Sequence, residues 1–147
     1  MKAFNKKYSL SHMGKNKLIP LITDSLSACV ELDFAYLHGS FINEEEFGDI
    51  DIAVYLIKDA HLSKDSLIKY EIDMEVKLEK LTGYTVDIRV INNAPLSFRY
   101  NVLKNGKLLF ARSEDTQADF AVRTITAYID FAPYRKRYLK EVLGLEI

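Results

Sequence analysis

The chain has 147 residues, of which 48% are apolar and 28% are charged, which is the composition of an ordinary globular domain. Twenty basic and 21 acidic residues give a net charge of −1, which argues against a protein that binds nucleic acid mainly through phosphate contacts. A single cysteine excludes an internal disulfide and a Cys-x-x-Cys zinc site. No apolar stretch approaches the ~18 residues of a membrane helix, so we expect one cytoplasmic domain without a membrane segment.

The first half of the chain predicts one helix and two strands. Residues 1–17 read as a polar arm, and apolar residues at helical spacing then predict a helix over 19–32, with Pro20 in its first turn. Residues 34–38 are short and apolar and read as a buried strand. Residues 49–57 alternate between apolar and polar side chains, which predicts a second strand with one buried face.

The second half continues the alternation of helices and strands. Residues 41–48, between the first two strands, read as a loop or a short helical turn. Beyond the second strand the pattern predicts helices over 63–81, 95–105 and 117–142, the last kinked or broken at Pro133, and strands over 84–91 and 107–111. This order predicts an α/β (α+β) domain in which helices flank a small mixed β-sheet.

Three aspartates occupy strand positions that packing alone would not select. Asp49 and Asp51 lie two residues apart on one predicted strand, so their side chains point to the same face, and Asp87 lies on a later alternating strand. If these strands pair in a common register, the three carboxylates converge, and such carboxylates repel unless a cation neutralises them. Oxygen ligands of this kind suit Mg²⁺, and two such ions form a clamp for displacement at phosphorus.

A turn suited to phosphate lies upstream of the aspartates. Gly39 and Ser40 directly follow an apolar strand; glycine lets the backbone approach a bulky anion, and serine adds a hydroxyl donor. Each feature alone is common, because Gly-Ser dipeptides are frequent and most Asp-x-Asp pairs are solvated strand edges or turns. The combined order of strand, Gly-Ser, loop and Asp-x-Asp strand is far more specific.

The sequence resembles the DNA polymerase β-like nucleotidyltransferases at these positions. Gly39-Ser40, eight further residues and then Asp49-Ile50-Asp51 match the Gly-Ser…Asp-x-Asp signature of that superfamily, and Asp87 matches its third carboxylate. The small size and the downstream stretches 106–110 and 128–133 resemble the minimal nucleotidyltransferases (MNT) that are antitoxins of HEPN-domain toxins.

The resemblance covers about residues 30–143. It implies a polymerase β-like nucleotidyltransferase fold over residues 18–147, with C-terminal helices from about residue 115. It also implies Mg²⁺-dependent transfer of AMP from ATP to a tyrosine hydroxyl of a HEPN ribonuclease toxin, which silences the toxin. We therefore expect a hetero-oligomer with that toxin and no direct binding of nucleic acid.

The resemblance also implies a role for each candidate residue. Asp49 and Asp51 would hold two Mg²⁺ ions on the triphosphate of ATP. Asp87 would complete the second metal site and help to deprotonate the acceptor hydroxyl. Gly39 and Ser40 would hold the β- and γ-phosphates. Catalysis by such a site is mostly positioning and charge neutralisation.

The loop of residues 41–48 departs from the family pattern. It has eight residues where the family often has ten, it carries three glutamates and no arginine, and Gly48 stands where serine is common. Two alternatives therefore stay open. One is a non-catalytic antitoxin that masks the toxin sterically, and the other is a nucleotidyltransferase for small molecules.

Three further side chains have two interpretations each. Arg89 and Arg123 are candidates for the positive charge that the loop lacks, and a surface salt bridge is the alternative for both and the preferred one for Arg123. His38, just before the Gly-Ser turn, is either part of the site or a strand-end histidine with a hydrogen-bonded ring, and we favour the second.

Overall fold

The structure, a computed structural model, describes residues 7–57 and 62–144. Strands and helices alternate along most of the chain, which confirms the predicted α/β class. In chain order the elements are β1 (Tyr8–Ser9), α1 (His12–Ser27), β2 (Leu32–His38), α2 (Ser40–Asn43), β3 (Glu46–Phe47), β4 (Ile50–Leu56), α3 (Lys64–Thr82), β5 (Val86–Val90), α4 (Leu96–Asn105), β6 (Lys107–Ala111) and α5 (Glu114–Glu141). Among the described residues no helix is both long and apolar enough to cross a membrane.

Four strands form the predicted mixed sheet, in the order β5-β4-β2-β6. β2 runs antiparallel to β4 and β6, whereas β4 and β5 are parallel. A parallel pair needs a long crossover connection, and α3 lies in the chain between these two strands. β1 and β3 form a separate antiparallel pair. The strand β4, which carries Asp51, therefore lies between β2, which precedes the Gly-Ser turn, and β5, which carries Asp87.

Each face of the sheet packs against a different pair of helices. The alternation of β4 puts Ile50, Ile52 and Val54 in the main core, together with buried side chains of α1 and α3: Ile22, Leu26, Met74 and Leu78. The opposite face packs against α4 and α5 through a smaller cluster that contains Phe34, Tyr36, Ala53, Ile91, Val102 and Phe120. The odd-numbered positions of β4, including Asp51, belong to this second face.

Helix α3 covers the open edge of β5. The backbone N–H groups of Val86, Ile88 and Val90 donate to the carboxylates of Glu79, Glu75 and Glu71 at 3.2, 2.9 and 2.9 Å. The spacing matches because four helical residues rise about 6.0 Å and two strand residues span about 6.6 Å. The three glutamates, here called the glutamate ladder, thus replace the missing neighbouring strand.

The first helix differs from the sequence prediction at both ends. α1 spans His12–Ser27 instead of 19–32, because the Ser11 hydroxyl accepts the Gly14 N–H at 3.0 Å and starts the helix early. Residues 12–17, predicted as part of the polar arm, are therefore helical. Pro20 lies inside α1 instead of in its first turn, and its exposed position lets water reach the carbonyl that it leaves without an N–H partner.

The last two helices before the C-terminus follow the prediction more closely. α4 begins after Pro95 and ends before Gly106, as predicted. α5 begins at Glu114, where the Ser113 hydroxyl accepts the Thr116 N–H, and it continues through the exposed Pro133 without a break. In α3 the predicted bounds hold to within one residue.

We expect the substitution Glu75→Ala to lower the free energy of unfolding by about 1–2 kcal/mol, because it removes a charged acceptor from a half-buried strand N–H. Asp73→Ala on the same helix is the matched control, since Asp73 contributes only an exposed pair with Lys69. Urea denaturation followed by circular dichroism measures both. Equal losses in the two variants would contradict the role given to the glutamate ladder.

Candidate active site

The three predicted aspartates lie together at one end of the second sheet face. Asp51 and Asp87 are register partners across the parallel β4–β5 pair, and Asp49 immediately precedes β4. One carboxylate oxygen from each of the three lies within 4.8 Å of the others, and all three side chains are half-buried. The convergence that the sequence analysis made conditional on a common register is therefore present.

Short hydrogen bonds fix the register that brings these carboxylates together. The Ile50 N–H donates to the Thr85 carbonyl at 2.9 Å, and the Thr85 hydroxyl donates to the Gly48 carbonyl at 3.1 Å. On the other edge of β5, Glu75 of the glutamate ladder accepts the N–H of Ile88, the residue after Asp87. β5 is thus held from both sides next to Asp87.

Gly39 brings the backbone of the Gly-Ser turn against Asp51. It follows His38, the residue that pairs with Asp51 in the β2–β4 register, and its φ of +79° lies in the region that favours glycine. A Cβ atom on Gly39 would overlap the Asp51 carboxylate. A glycine is therefore required here both for the turn and for the close approach.

Residues 40–48 connect β2 to β4, and hydrogen bonds within this segment hold its two ends together. The Ser40 hydroxyl accepts the Gly48 N–H at 3.3 Å, and the Asn43 amide donates to the Gly39 carbonyl at 3.1 Å. The segment predicted as a loop or helical turn contains α2 and β3, with Phe41 and Phe47 fully buried. Its three glutamates, at positions 44–46, are exposed to solvent.

A small cavity of about 200 Å³ opens beside the aspartates. Its lining residues are His38, Asp51, Asp87, Arg89 and Phe98. The His38 ring packs edge-on against the Phe98 ring, with 5.5 Å between their centroids, and the Arg89 guanidinium lies 4.9 Å from the centroid of the same ring. Burial lowers the pKa of His38, the Asp87 carboxylate opposes this shift, and Arg89 adds to it. The histidine ring thus forms one wall of the site, packed against Phe98.

The chemistry of the three carboxylates fits a divalent cation. Each aspartate contributes one oxygen to a group compact enough to surround a single ion, and Mg²⁺ binds through one or two carboxylates together with substrate phosphates. The Gly-Ser turn lies directly beside Asp51, where the phosphates of such a substrate would be held. The arrangement is therefore suited to a metal–triphosphate complex.

A larger cavity, which the sequence did not predict, lies next to this site. That cavity measures about 880 Å³, and Arg89, Arg99 and Arg123 are among its lining residues. Within residues 7–57 and 62–144, neither Arg89 nor Arg123 forms the salt bridge that was the alternative interpretation. Arg99 gave no signal in the sequence, because an arginine on a short amphipathic helix normally faces water.

We expect the pKa of His38 in the metal-free protein to lie below its ordinary value of 6.5, because burial disfavours the charged ring. Asp87→Asn should lower this pKa further, since the Asp87 carboxylate raises it. The unfolded chain binds the proton more readily, so His38 also makes the protein less stable as the pH falls below about 6.5. NMR titration of the imidazole measures the shift. A rise of the pKa in Asp87→Asn would contradict this geometry, and Asp73→Asn is the control.

Comparisons with known proteins agree with the fold. The sequence profile described as Polymerase beta, Nucleotidyltransferase matches residues 21–115, and no curated protein matches the chain. A solved structure of a tri-AMPylated Shewanella oneidensis HEPN toxin in complex with MNT antitoxin is similar at 25% identity and a TM-score of 0.63, covering 91% of this chain and 99% of that one.

Two further solved structures give the same result. A toxin–antitoxin with AMP-PNP is similar at 26% identity and a TM-score of 0.65, covering 88% of this chain and 98% of the other. The toxin–antitoxin MntA-HepT is similar at 25% identity and a TM-score of 0.62, covering 90% and 99%. The family profile spans well over half of the chain and includes the Gly-Ser turn and all three aspartates. The chain therefore belongs to the polymerase β nucleotidyltransferase family.

Proposed function

We propose that the protein transfers AMP from ATP to a tyrosine hydroxyl of a HEPN ribonuclease toxin and acts as the antitoxin of that toxin. The observation that carries the proposal is the convergence of Asp49, Asp51 and Asp87 directly beside the turn at Gly39. The similar structures support the choice of acceptor, since one contains a tri-AMPylated HEPN toxin with its MNT antitoxin and another contains AMP-PNP. A cytoplasmic location is part of this proposal.

The family resemblance suggests a role for each residue, and the positions of the residues are compatible with these roles. Asp49 and Asp51 would hold two Mg²⁺ ions together with the triphosphate, and Asp87 would complete the second ion's ligands. Bound Mg²⁺ supplies positive charge that neutralises the phosphate oxygens. Gly39 and Ser40 would hold the β- and γ-phosphates on the β2 side of β4. Asp87 lies on the opposite side, on β5, where the acceptor hydroxyl would enter.

The transfer itself requires little covalent chemistry from the protein. The tyrosine oxygen attacks the α-phosphorus of ATP, the bond from that phosphorus to the oxygen of the β-phosphate breaks, and pyrophosphate leaves. Asp87 accepts the hydroxyl proton. The half-buried carboxylates and the turn at Gly39 would keep the reacting groups in line, which is the main source of rate in such sites.

The loop of residues 41–48 gives one reason to test steric masking as an alternative. It carries no basic residue, so the phosphates receive no arginine from this side. Its glutamates are exposed, however, and the side chains that face the core are Phe41 and Phe47. The acidic loop is thus compatible with a triphosphate at the neighbouring turn. A small-molecule acceptor is less well supported, because the similar solved structures are toxin–antitoxin structures.

We expect the double substitution Asp49→Asn, Asp51→Asn to reduce AMP transfer from ATP to the toxin by at least about 100-fold, because it removes charges that stabilise the transition state. Intact-mass analysis of the toxin after incubation with ATP and Mg²⁺ measures the transfer. Asp73→Asn, an exposed change on α3, is the control and should retain wild-type transfer. Unchanged transfer by the double variant would contradict the mechanism.

Growth of cells that express the toxin separates catalysis from masking. The double aspartate variant should fail to rescue growth while it still co-purifies with the toxin. Full rescue by this variant would show that binding alone silences the toxin. Thermal unfolding of the variant within a few degrees of wild type excludes misfolding as the reason for a failed rescue.

A further inference from the structure

The segment of residues 40–48 joins two candidate site residues. Ser40 begins the segment directly after Gly39, and Asp49 follows its last residue. The hydrogen bond that closes the segment, from the Gly48 N–H to the Ser40 hydroxyl, is 3.3 Å long, which is beyond the usual range for such a bond. The position of Ser40 relative to Asp49 therefore depends on contacts that the segment makes with other parts of the chain.

Lys15 of α1 contacts this segment at three places. Its ammonium donates to the Glu44 carbonyl at 2.6 Å, just after α2 ends. The ammonium also lies 5.3 Å from the centroid of the Phe41 ring and 5.5 Å from the centroid of the Phe47 ring. One cation thus contacts the start, the middle and the end of the segment.

The contacts of Lys15 are of kinds that restrain a backbone. A hydrogen bond from an ionised donor is roughly twice as strong as one between neutral groups, and a cation beside an aromatic ring gains further attraction when it is partly removed from water. Lys15 is half-buried, whereas Phe41 and Phe47 are fully buried and pack edge-on with 4.8 Å between their centroids. The ammonium is therefore held against rings that belong to the main core.

The part of the chain that supplies Lys15 lies outside the matched family profile, which begins at residue 21. The cap at Ser11 starts α1 early enough to include Lys15, whose N–H donates to the Ser11 carbonyl at 3.0 Å. The strand just before this cap, β1, pairs with β3 of the same segment. The residues that hold the segment from outside are thus an element that the family profile does not contain.

Lys15 also brings positive charge to a segment that has none of its own. Residues 41–48 contain three glutamates and neither lysine nor arginine, and the three glutamate side chains are exposed. Because the ammonium donates to the backbone carbonyl of Glu44, it restrains the path of the chain. Its effect on the site would therefore pass through the two ends of the segment.

We propose that Lys15 is a positioning residue of the nucleotidyltransferase site, which holds residues 40–48 so that Ser40 and Asp49 reach the same metal–triphosphate complex. The inference rests on the proposed function, in which Ser40 holds phosphates and Asp49 holds Mg²⁺. A displaced segment moves both residues, so the loss of Lys15 weakens the binding of the nucleotide and of the metal.

Isothermal titration calorimetry of the full chain with ATP and Mg²⁺ measures the effect on the nucleotide. Lys15→Met removes the ammonium and keeps an unbranched side chain, and we expect it to bind ATP at least about tenfold more weakly, because a charged hydrogen bond is lost. Lys15→Arg keeps a cationic donor and should stay within about threefold of wild type. Lys17→Met removes an exposed charge from the same helix and should match wild type.

Binding of Mn²⁺ alone separates positioning from direct contact with the phosphates. Removal of a nearby positive charge would by itself tighten the binding of a cation, because it removes a repulsion. Displacement of Asp49 has the opposite sign, so we expect nucleotide-free Lys15→Met to bind Mn²⁺ at least about threefold more weakly than wild type. The electron paramagnetic resonance signal of free Mn²⁺ measures this affinity.

A core variant of the same helix controls for a general loss of stability. Ile22 is fully buried, so Ile22→Val lowers the melting temperature and leaves the contacts of Lys15 in place. It should bind ATP and Mn²⁺ with wild-type affinity, since partial unfolding lowers the stoichiometry of a titration and not the affinity of the folded fraction. An equal loss of affinity in Ile22→Val would contradict a specific role for Lys15.

Three further results would overturn the inference. If Lys15→Met binds ATP as tightly as wild type, Lys15 does not position the site. If Lys15→Met binds Mn²⁺ as tightly as wild type or more tightly, Lys15 acts on the phosphates directly. If Lys15→Arg is as weak as Lys15→Met, a cation at this place is not what holds the segment. A wild-type protein that binds ATP and Mn²⁺ but modifies no toxin would instead refute the proposed function alone, because neither titration requires the toxin.

Discussion

The parallel pairing of β4 with β5 is the constraint on which the candidate site depends. It sets Asp51 directly beside Asp87, and a shift of one residue would turn Asp87 to the opposite face of the sheet. β5 is an edge strand, and an edge strand is free to slip or to pair elsewhere unless something holds it. The glutamate ladder of α3 provides this restraint, so a helix that contributes no residue to the site determines where its third carboxylate lies.

The same pairing separates the two substrates in space. The Gly-Ser turn follows β2 on one side of β4, whereas Asp87 lies on β5 at the other side. Phosphates held at the turn and an acceptor entering along β5 would therefore meet at Asp51, between the two.

The sequence predicted the sheet and the aspartates well because both depend on a period of two. Alternation along β4 assigned Asp51 to the face opposite Ile52, and the structure agrees. It did not predict where α1 begins, because the cap at Ser11 precedes residues without an apolar pattern. It could not predict the cavity of about 880 Å³ that Arg99 lines either, since this cavity joins residues from β5, α4 and α5 that lie far apart in the chain. Properties that arise from tertiary packing leave no local signal.

A crystal structure of the protein with Mn²⁺ and a non-hydrolysable ATP analogue tests the central claim most directly. The account predicts anomalous density for at least one ion coordinated by carboxylate oxygens of Asp49, Asp51 and Asp87, with the triphosphate seated against Gly39 and Ser40. A triphosphate bound elsewhere on the protein, or one bound at the turn with no ion coordinated by the three carboxylates, would contradict it.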